Sequence, residues 1–332
     1  MIYFENLSTD PAWNMAVEEA LLLEAREEPL LLLWENAPSV IIGRHQNVWS
    51  EVNIAYAKQK NIRIIRRLSG GGAVYHDNGN LNYTFIVPVE NGSSKCAPVF
   101  DFKSLSAPVV KVLRKMGLNA EFSGRNDIII DNRKISGTAQ VRFHGHLLHH
   151  GTLLFSTDLE KMTHVLTVDP EKYHSKGVPS VRARVANLSE FLPEEFGKEQ
   201  FKQIILDELS KDNAISYTTF SHELIETINR LKENKYGTDT WNIGRSPRSD
   251  FYREKRFSWG KLRADVTLER GKIVNLNFSG DFFFDEDPLT LAQYCLGVEY
   301  TRVTLRCHIT EEKIKSVFPK LEKEEFISFL CD

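Results

Sequence analysis

The amino-acid sequence predicts an α+β fold: a large domain of mostly antiparallel sheet with packed helices, followed by a smaller α+β accessory domain. Three observations lead there. The chain has 332 residues, more than one typical domain. Residues 126–158, "NDIIIDNRKISGTAQVRFHGHLLHHGTLLFSTD", hold three strand-like runs joined by short turns, the pattern of antiparallel neighbours. Periodicity then fails over residues 236–250, "YGTDTWNIGRSPRSD", and resumes as strands from Phe251, so the domains are expected at residues 1–245 and 246–332.

Each element has its own signal. "IYFEN" opens the chain as a strand. In "STDPAWNMAVEEALLLEAREE", Ser8 or Asp10 can cap a helix with Pro11 in its first turn. "LLLLWE" and "SVIIGR" are short apolar runs that read as buried strands. Residues 50–61 read as one capped amphipathic helix, and residues 62–67, "IRIIRR", as a strand leading into a glycine loop. "NLNYTFIVPV", residues 80–89, alternates as a half-buried strand does. Residues 102–117 are helical, with Gly117 as the stop and Pro108 placed to split or kink them. "DNRK" and "FHGH" supply the turns between the next three strands. Residues 167–191 lack periodicity and carry four Lys/Arg, as functional or mobile segments do. Helices follow around residues 197–212 and 221–234, then strands from Phe251, then short helices in "PLTLAQYCLG" and "TEEKIKSVF".

Composition limits the function. Hydrophobic residues are 42% and charged residues 26%, an ordinary globular balance, and the net charge of −3 gives no electrostatic case for nucleic acid. Cys96, Cys295, Cys307 and Cys331 are scattered, with no CxxC pair and no zinc spacing, as in a reduced protein with free thiols. The N-terminus shows no signal or transit pattern, and no apolar run is long enough to span a bilayer. A cytoplasmic protein without a membrane partner is expected.

Four stretches could carry chemistry. "RRLSGGGAVYHDNGNLNYTF" brings Arg66 and Arg67 to three glycines, whose backbone N–H groups can converge on an anion or form a tight turn. On a strand the two arginines point to opposite faces, so one of them faces the loop. Asn126 and Asp127, ahead of a strand, suit magnesium through oxygen, or a turn. Lys134 precedes the small residues Ser136, Gly137, Thr138 and Ala139, which leave room beside an ammonium; a solvated lysine is the plain alternative. His149 and His150 face opposite ways and read as packed or hydrogen-bonded rather than as zinc ligands.

Together "RRLSGGGAVYHDNGNLNYTF", "SGRNDI", "RKISGTAQ", "HHGTLLF" and "KGVPSVRARVANL" resemble the lipoate–protein ligases, in the family's order, densely over residues 1–195. The resemblance implies a biotin/lipoate ligase-like catalytic domain and a two-step reaction. Lipoate and ATP, with Mg2+, form lipoyl-AMP and pyrophosphate, and the lipoyl group then passes to an acceptor lysine. Implied acceptors are lipoyl domains of 2-oxoacid dehydrogenase E2 subunits and the glycine cleavage H protein, served by a monomer. Residue by residue, it implies Lys134 as the catalytic lysine between carboxylate and phosphate oxygens. Arg67 with Gly71, Gly72, Ala73, Val74, Tyr75 and Asn80 would hold the acyl-phosphate region. Asn126 and Asp127 would serve the ribose-phosphate side or magnesium. Gly137, Thr138, Ala139, His150, Gly151, Thr152 and Leu153 would bound the pocket. Lys176, Arg182 and Arg184 would lie on the loop, about residues 167–187, that closes over the adenylate.

An apolar tail pocket discriminates weakly, so octanoate is expected as a slower substrate. Two rivals stand beside the ligase. An octanoyl transferase of the same fold would need a cysteine nucleophile, and Cys96 is the only cysteine of the large domain. A non-catalytic lipoate- or nucleotide-binding module would not need Lys134.

Overall fold

The computed structural model describes residues 1–24, 27–89, 101–167, 184–212, 214–243, 250–283 and 286–331. The chain forms two compact units. One comprises Met1–Ile42, Trp49–Leu68 and Ala73–Asn242; the other gathers Gly43–Val48 and Ser69–Gly72 with Ile243–Asp332.

The first unit begins with β1 (Ile2–Glu5) and α1 (Pro11–Leu23). The Asp10 side chain accepts the Ala12 amide as N-cap and Pro11 occupies the first turn, as their types dictate. Then come β2 (Leu30–Trp34), β3 (Ser39–Ile42), α2 (Val48–Glu51), α3 (Ile54–Gln59), β4 (Arg63–Arg66), β5 (Val74–His76) and β6 (Asn80–Pro88). The single helix expected at residues 50–61 is two. Val52 bridges to Leu166, and the Asn53 side chain caps a new helix by accepting the Tyr56 amide.

After α4 (Phe102–Lys115) come β7 (Ala120–Ser123), β8 (Asp127–Ile130), β9 (Arg133–Phe143), β10 (His146–Leu154) and α5 (Leu159–Val165). Pro108 sits inside α4 without ending it, and Gly117 follows at φ 84°. Asp131 and Asn132 both have positive φ, 48° and 63°, as a two-residue hairpin turn requires. The unit closes with α6 (Lys198–Asp212), β11 (Ser216–Thr218), α7 (His222–Leu231), a π-helical turn (Lys232–Tyr236) and α8 (Asp239–Asn242).

Eight strands make one sheet in the order β11-β1-β2-β6-β10-β9-β8-β7. β1 runs parallel to β2 and β11, while the pairs from β2 to β7 are antiparallel, in keeping with the expected α+β class. A second sheet of the same unit has the order β4-β3-β5. One face of the large sheet packs Tyr83, Ile135 and Leu153 with Val109 of α4 and Phe201 of α6; the other packs Leu32, Ile86 and Leu148 with α1 and with Ile41 and Ile65 of the small sheet. Thus β6 is central and buried through Ile86, not half-buried as its alternation suggested. Its polar residues Asn80, Asn82 and Thr84 are turned inward, and this is the first sign of a site.

Asp10 also ties α1 to distant chain, with Arg63 Nη1 at 2.6 Å and Lys232 Nζ at 2.7 Å. Burial pushes its carboxyl up, but the Lys232 hydrogen bond, the Arg63 charge and the Ala12 amide together bring it below the ordinary value. A lowered folded-state pKa gives stability that is present above the unfolded value and lost as pH falls through the folded one. Asp10→Asn keeps a capping side chain and removes the charge, so it is expected to cost about 0.5–1 kcal/mol at pH 7. Melting curves of both proteins should begin to converge as the pH falls below about 4 and meet only below the folded-state pKa.

In the second unit β12 (Phe251–Phe257), β13 (Gly260–Glu269) and β14 (Lys272–Gly280) form an antiparallel meander. It packs on α9 (Pro288–Tyr294), α10 (Arg302–His308), α11 (Glu311–Val317) and α12 (Lys323–Cys331) through Leu262, Val266, Phe278, Phe318 and Phe326. Within this unit the glycine run is held by backbone. The Gly71 amide donates to the Phe282 carbonyl at 3.3 Å, Gly71 takes φ 86°, and a Cβ on Gly70 would stand 2.1 Å from Phe282 O. Close backbone approach therefore explains the lack of a side chain at Gly70. No helix among the described residues is long and apolar enough to cross a membrane.

Candidate active site

The site is assembled where β8 and β9 meet the chain that returns at Arg184. Lys134 is the second residue of β9, and its carbonyl accepts the Ala186 amide at 2.9 Å. Its ammonium lies 2.7 Å from Asp127 Oδ1, while Arg184 Nη2 lies 3.2 Å from Asp127 Oδ2. Two cations, one from β9 and one from the returning chain, thus converge on one carboxylate. Lys134 keeps 27% of its side-chain surface exposed, so its ammonium can reach a ligand. Gly137 makes this possible: a Cβ there would stand 2.8 Å from Lys134 Nζ.

Asn126 is used structurally. Its amide donates to the Thr138 carbonyl at 2.5 Å, and its own carbonyl accepts both the Thr138 amide and the Thr138 hydroxyl. The Gly137 amide donates to Thr152 Oγ1 at 3.2 Å, joining β9 to β10. Asp127 is a poor match for a protein-held magnesium. Mg2+ takes one or two carboxylates plus phosphate oxygens, yet both Asp127 oxygens are engaged by cations. Among the described residues no group of three His, Cys, Asp or Glu could hold a metal ion. The geometry favours Asp127 as counter-ion to Lys134 and Arg184.

The α1-covered face of the large sheet carries buried polar groups. His150 is there, its Nδ1 at 2.9 and 3.0 Å from the two oxygens of Glu18 on α1. Thr84 donates to Glu18 at 2.6 Å, and the Trp34 indole donates to Thr84 at 2.9 Å. Asn80 Nδ2 donates to Asn82 Oδ1, and Asn82 Nδ2 to the Trp34 carbonyl. Arg67 is buried and donates to the Ile41 carbonyl at 3.0 Å. Burial pulls its guanidinium down to about 10, against the opposing charge of Glu18. His76 contacts Asn36 at 3.0 Å and is pulled down to about 3, by burial first and then by the Arg67 charge, so it is neutral at pH 7.

The structure thus brings Lys134, Asp127, Arg184 and Gly137 together, and places Ala139 opposite His150 in the sheet. Arg66 faces elsewhere, fully buried and bonded to the carbonyls of Trp241 and Asn242, which leaves Arg67 as the inward arginine. Val74 and Tyr75 pair with Ile41 and Val40 as part of β5, an element too short for sequence periodicity to reveal, and Ala73 precedes it. Gly71 and Gly72 belong to the second unit. Gly151 and Leu153 point to the α4 side, away from His150: a Cβ on Gly151 would stand 2.4 Å from the Tyr83 ring, and Leu153 lies in that core. His149 shares that side with Gln140, 2.8 Å from its Nδ1, and burial pulls it down to about 3, a packed neutral histidine. Lys176 and Arg182 lie outside the described residues. Sequence reasoning missed Glu18, Thr84 and Trp34 as site-supporting residues. A carboxylate on the apolar face of an amphipathic helix was the available signal.

Residues 10–210 match the lipoyl protein ligase A/B catalytic domain, and residues 246–330 the bacterial lipoate protein ligase C-terminus. Lipoate–protein ligase 1 of Staphylococcus aureus is 38% identical over 326 residues, 98% of this chain and 98% of the relative. The structure of P. falciparum LipL1 in complex with lipoate superposes with a TM-score of 0.73 at 25% identity, over 100% of this chain and 99% of that one. A lipoate-protein ligase A bound with ATP gives 0.63 at 28% identity, over 73% of this chain and 98% of that one. The bipartite lipoate protein ligase of Thermoplasma acidophilum, solved with its E2 lipoyl domain, gives 0.63 at 29% identity, over 75% and 98%.

Proposed function

The chain belongs to the lipoate–protein ligase family, and on that premise we propose that it is an ATP-dependent lipoate–protein ligase working through lipoyl-AMP. A lipoate carboxylate oxygen attacks the α-phosphorus of ATP, and the bond to pyrophosphate breaks. The ε-amine of an acceptor lysine then attacks the lipoyl carbonyl, AMP leaves, and the amine proton is released. Lipoyl domains are the acceptor class; the glycine cleavage H protein is a second expected acceptor, and a monomer in the cytoplasm the expected form.

The observation that carries the reading is the Lys134 ammonium, held over Gly137 by Asp127 with Arg184 beside it. Carboxylate and phosphate are both anionic, so their approach needs fixed positive charge. Lys134 would bridge the two. Arg184 would hold the phosphate side, and water would be kept from the adenylate. Arg67, Asn80, Thr152 and His150 would line the acyl side. Magnesium is expected as ATP's counter-ion, with its ligands drawn chiefly from the phosphates.

The test is to incubate the protein with magnesium, lipoate and a lipoyl domain, with and without ATP, and to read the acceptor's intact mass. A lipoyl increment that requires ATP supports the ligase. Transfer from an acyl-carrier donor without ATP would overturn it in favour of the cysteine-dependent transferase. Burial pushes the Cys295 thiol up to about 12, so it is no thiolate at neutral pH. Cys96, which lies outside the described residues, is the residue for the transferase. Cys96→Ser is expected to retain ATP-dependent ligation; loss of turnover in this variant would sink the ligase reading.

A further inference from the structure

Glu18 lies on α1, not in any motif that led to the site, and it is 4% exposed. A buried carboxylate is costly unless hydrogen-bonded, and here its partners come from separate strands. The Trp34 indole can only donate, so the Thr84 hydroxyl accepts from it and must give its own proton to Glu18. The carboxylate oxygens, acceptors only, both lie within 3.0 Å of His150 Nδ1. The hydrogen therefore sits on Nδ1, and the ring plane of His150 is fixed. Arg67 feels the Glu18 charge as well, and that charge opposes the loss of the buried guanidinium's proton. One side chain on a helix thus governs two residues that line the acyl side.

We propose that Glu18 is a positioning residue for lipoate binding, acting through His150 and Arg67 to set the hydrogen-bonding pattern of the acyl pocket. The proposal rests on the ligase reading above. Replacing the carboxylate by its amide keeps shape and volume. With the Thr84 hydroxyl donating to the amide oxygen, its N–H is turned toward His150 Nδ1, which favours the imidazole proton on Nε2.

The experiment uses the full chain carrying 15N-labelled histidine, as wild type, Glu18→Gln and Glu18→Asp. The His150 signals are assigned by difference from His150→Asn. The tautomer is read from the ring nitrogen shifts, and KM and kcat from ATP-dependent ligation. The expected result is an Nδ1–H imidazole in wild type and Nε2–H in Glu18→Gln. The KM for lipoate should rise about tenfold, as for loss of one charge-assisted hydrogen bond, with kcat changed less than KM. Glu18→Asp, still a carboxylate, should return toward wild type in both readings. An unchanged tautomer with unchanged KM in Glu18→Gln would overturn the proposal. So would a loss of activity that merely follows a fall in melting temperature and is as large in Glu18→Asp. If Glu18→Gln does not fold, the wild-type and Glu18→Asp tautomers decide alone, an Nε2–H imidazole in both overturning it. The tautomer needs no catalysis, so a failure of the ligase reading shows separately, as absent wild-type turnover.

Discussion

Replacing Lys134 by alanine is expected to lower the rate of adenylate formation by about a hundred- to a thousandfold, the usual loss on removing one preorganised donor from a transition state. The fold should survive, because Lys134 is 27% exposed and its backbone, not its ammonium, makes the contact to Ala186. What disappears is the charge that screens two approaching anions. Asp127 and Arg184 stay as a pair, so the site is not left with an orphaned carboxylate. Gly137→Ala offers an independent check. Its Cβ would fall 2.8 Å from Nζ and 3.0 Å from Cε. The far end of a lysine can swing aside cheaply, so this variant too should melt near wild type while adenylate formation drops. Pyrophosphate release with lipoate and ATP, measured without acceptor, isolates this step. Undiminished release in Lys134→Ala would remove the lysine from the mechanism.

The largest effect on stability is expected from Gly151→Ala, on the opposite face of the sheet in the neighbouring strand β10. The added Cβ would stand 2.4 Å from Tyr83 Cζ and Oη and 2.6 Å from Cε1. Tyr83 is fully buried, with Phe85 and His149 at ring distances of 5.8 and 5.9 Å, so its ring has no free direction of retreat. Overpacking of this kind costs about 3 kcal/mol, which for a domain of this size lowers the melting temperature by roughly 6–12 °C. Combining it with Tyr83→Leu should relieve part of the loss, since residues in contact are not additive. A melting temperature within a degree or two of wild type would show that Tyr83 can repack. The family resemblance assigns Gly151 to the pocket; its packing shows a further demand for glycine that has nothing to do with a ligand.

Much of the local structure was legible because it is decided locally. Asp10 and Pro11 begin α1 as their side chains require, and "DNRK" turns the β8–β9 hairpin through Asp131 and Asn132 at positive φ. The antiparallel run β8–β9–β10 follows from short turns. The opposite facing of Arg66 and Arg67, and of His149 and His150, follows from the period of a strand. The clustering of Lys134, Gly137 and Asp127 was legible in part, since they stand within eleven residues along a hairpin.

What the sequence by itself determined, then, is the α+β class, most of its longer elements in order, which side chains share a face, and the lysine beside small residues. These rest on steric rules that reach a few residues along the chain. Only the tertiary structure decided what each face meets. It turned Asn80, Asn82 and Thr84 of β6 inward by covering both sides of the sheet. It brought Arg184 across 57 residues to Asp127 and Glu18 across 132 residues to His150. It also set the backbone of Phe282 against the glycine run. Such pairings depend on packing between elements far apart in sequence, where alternation and propensity carry no information about the partner.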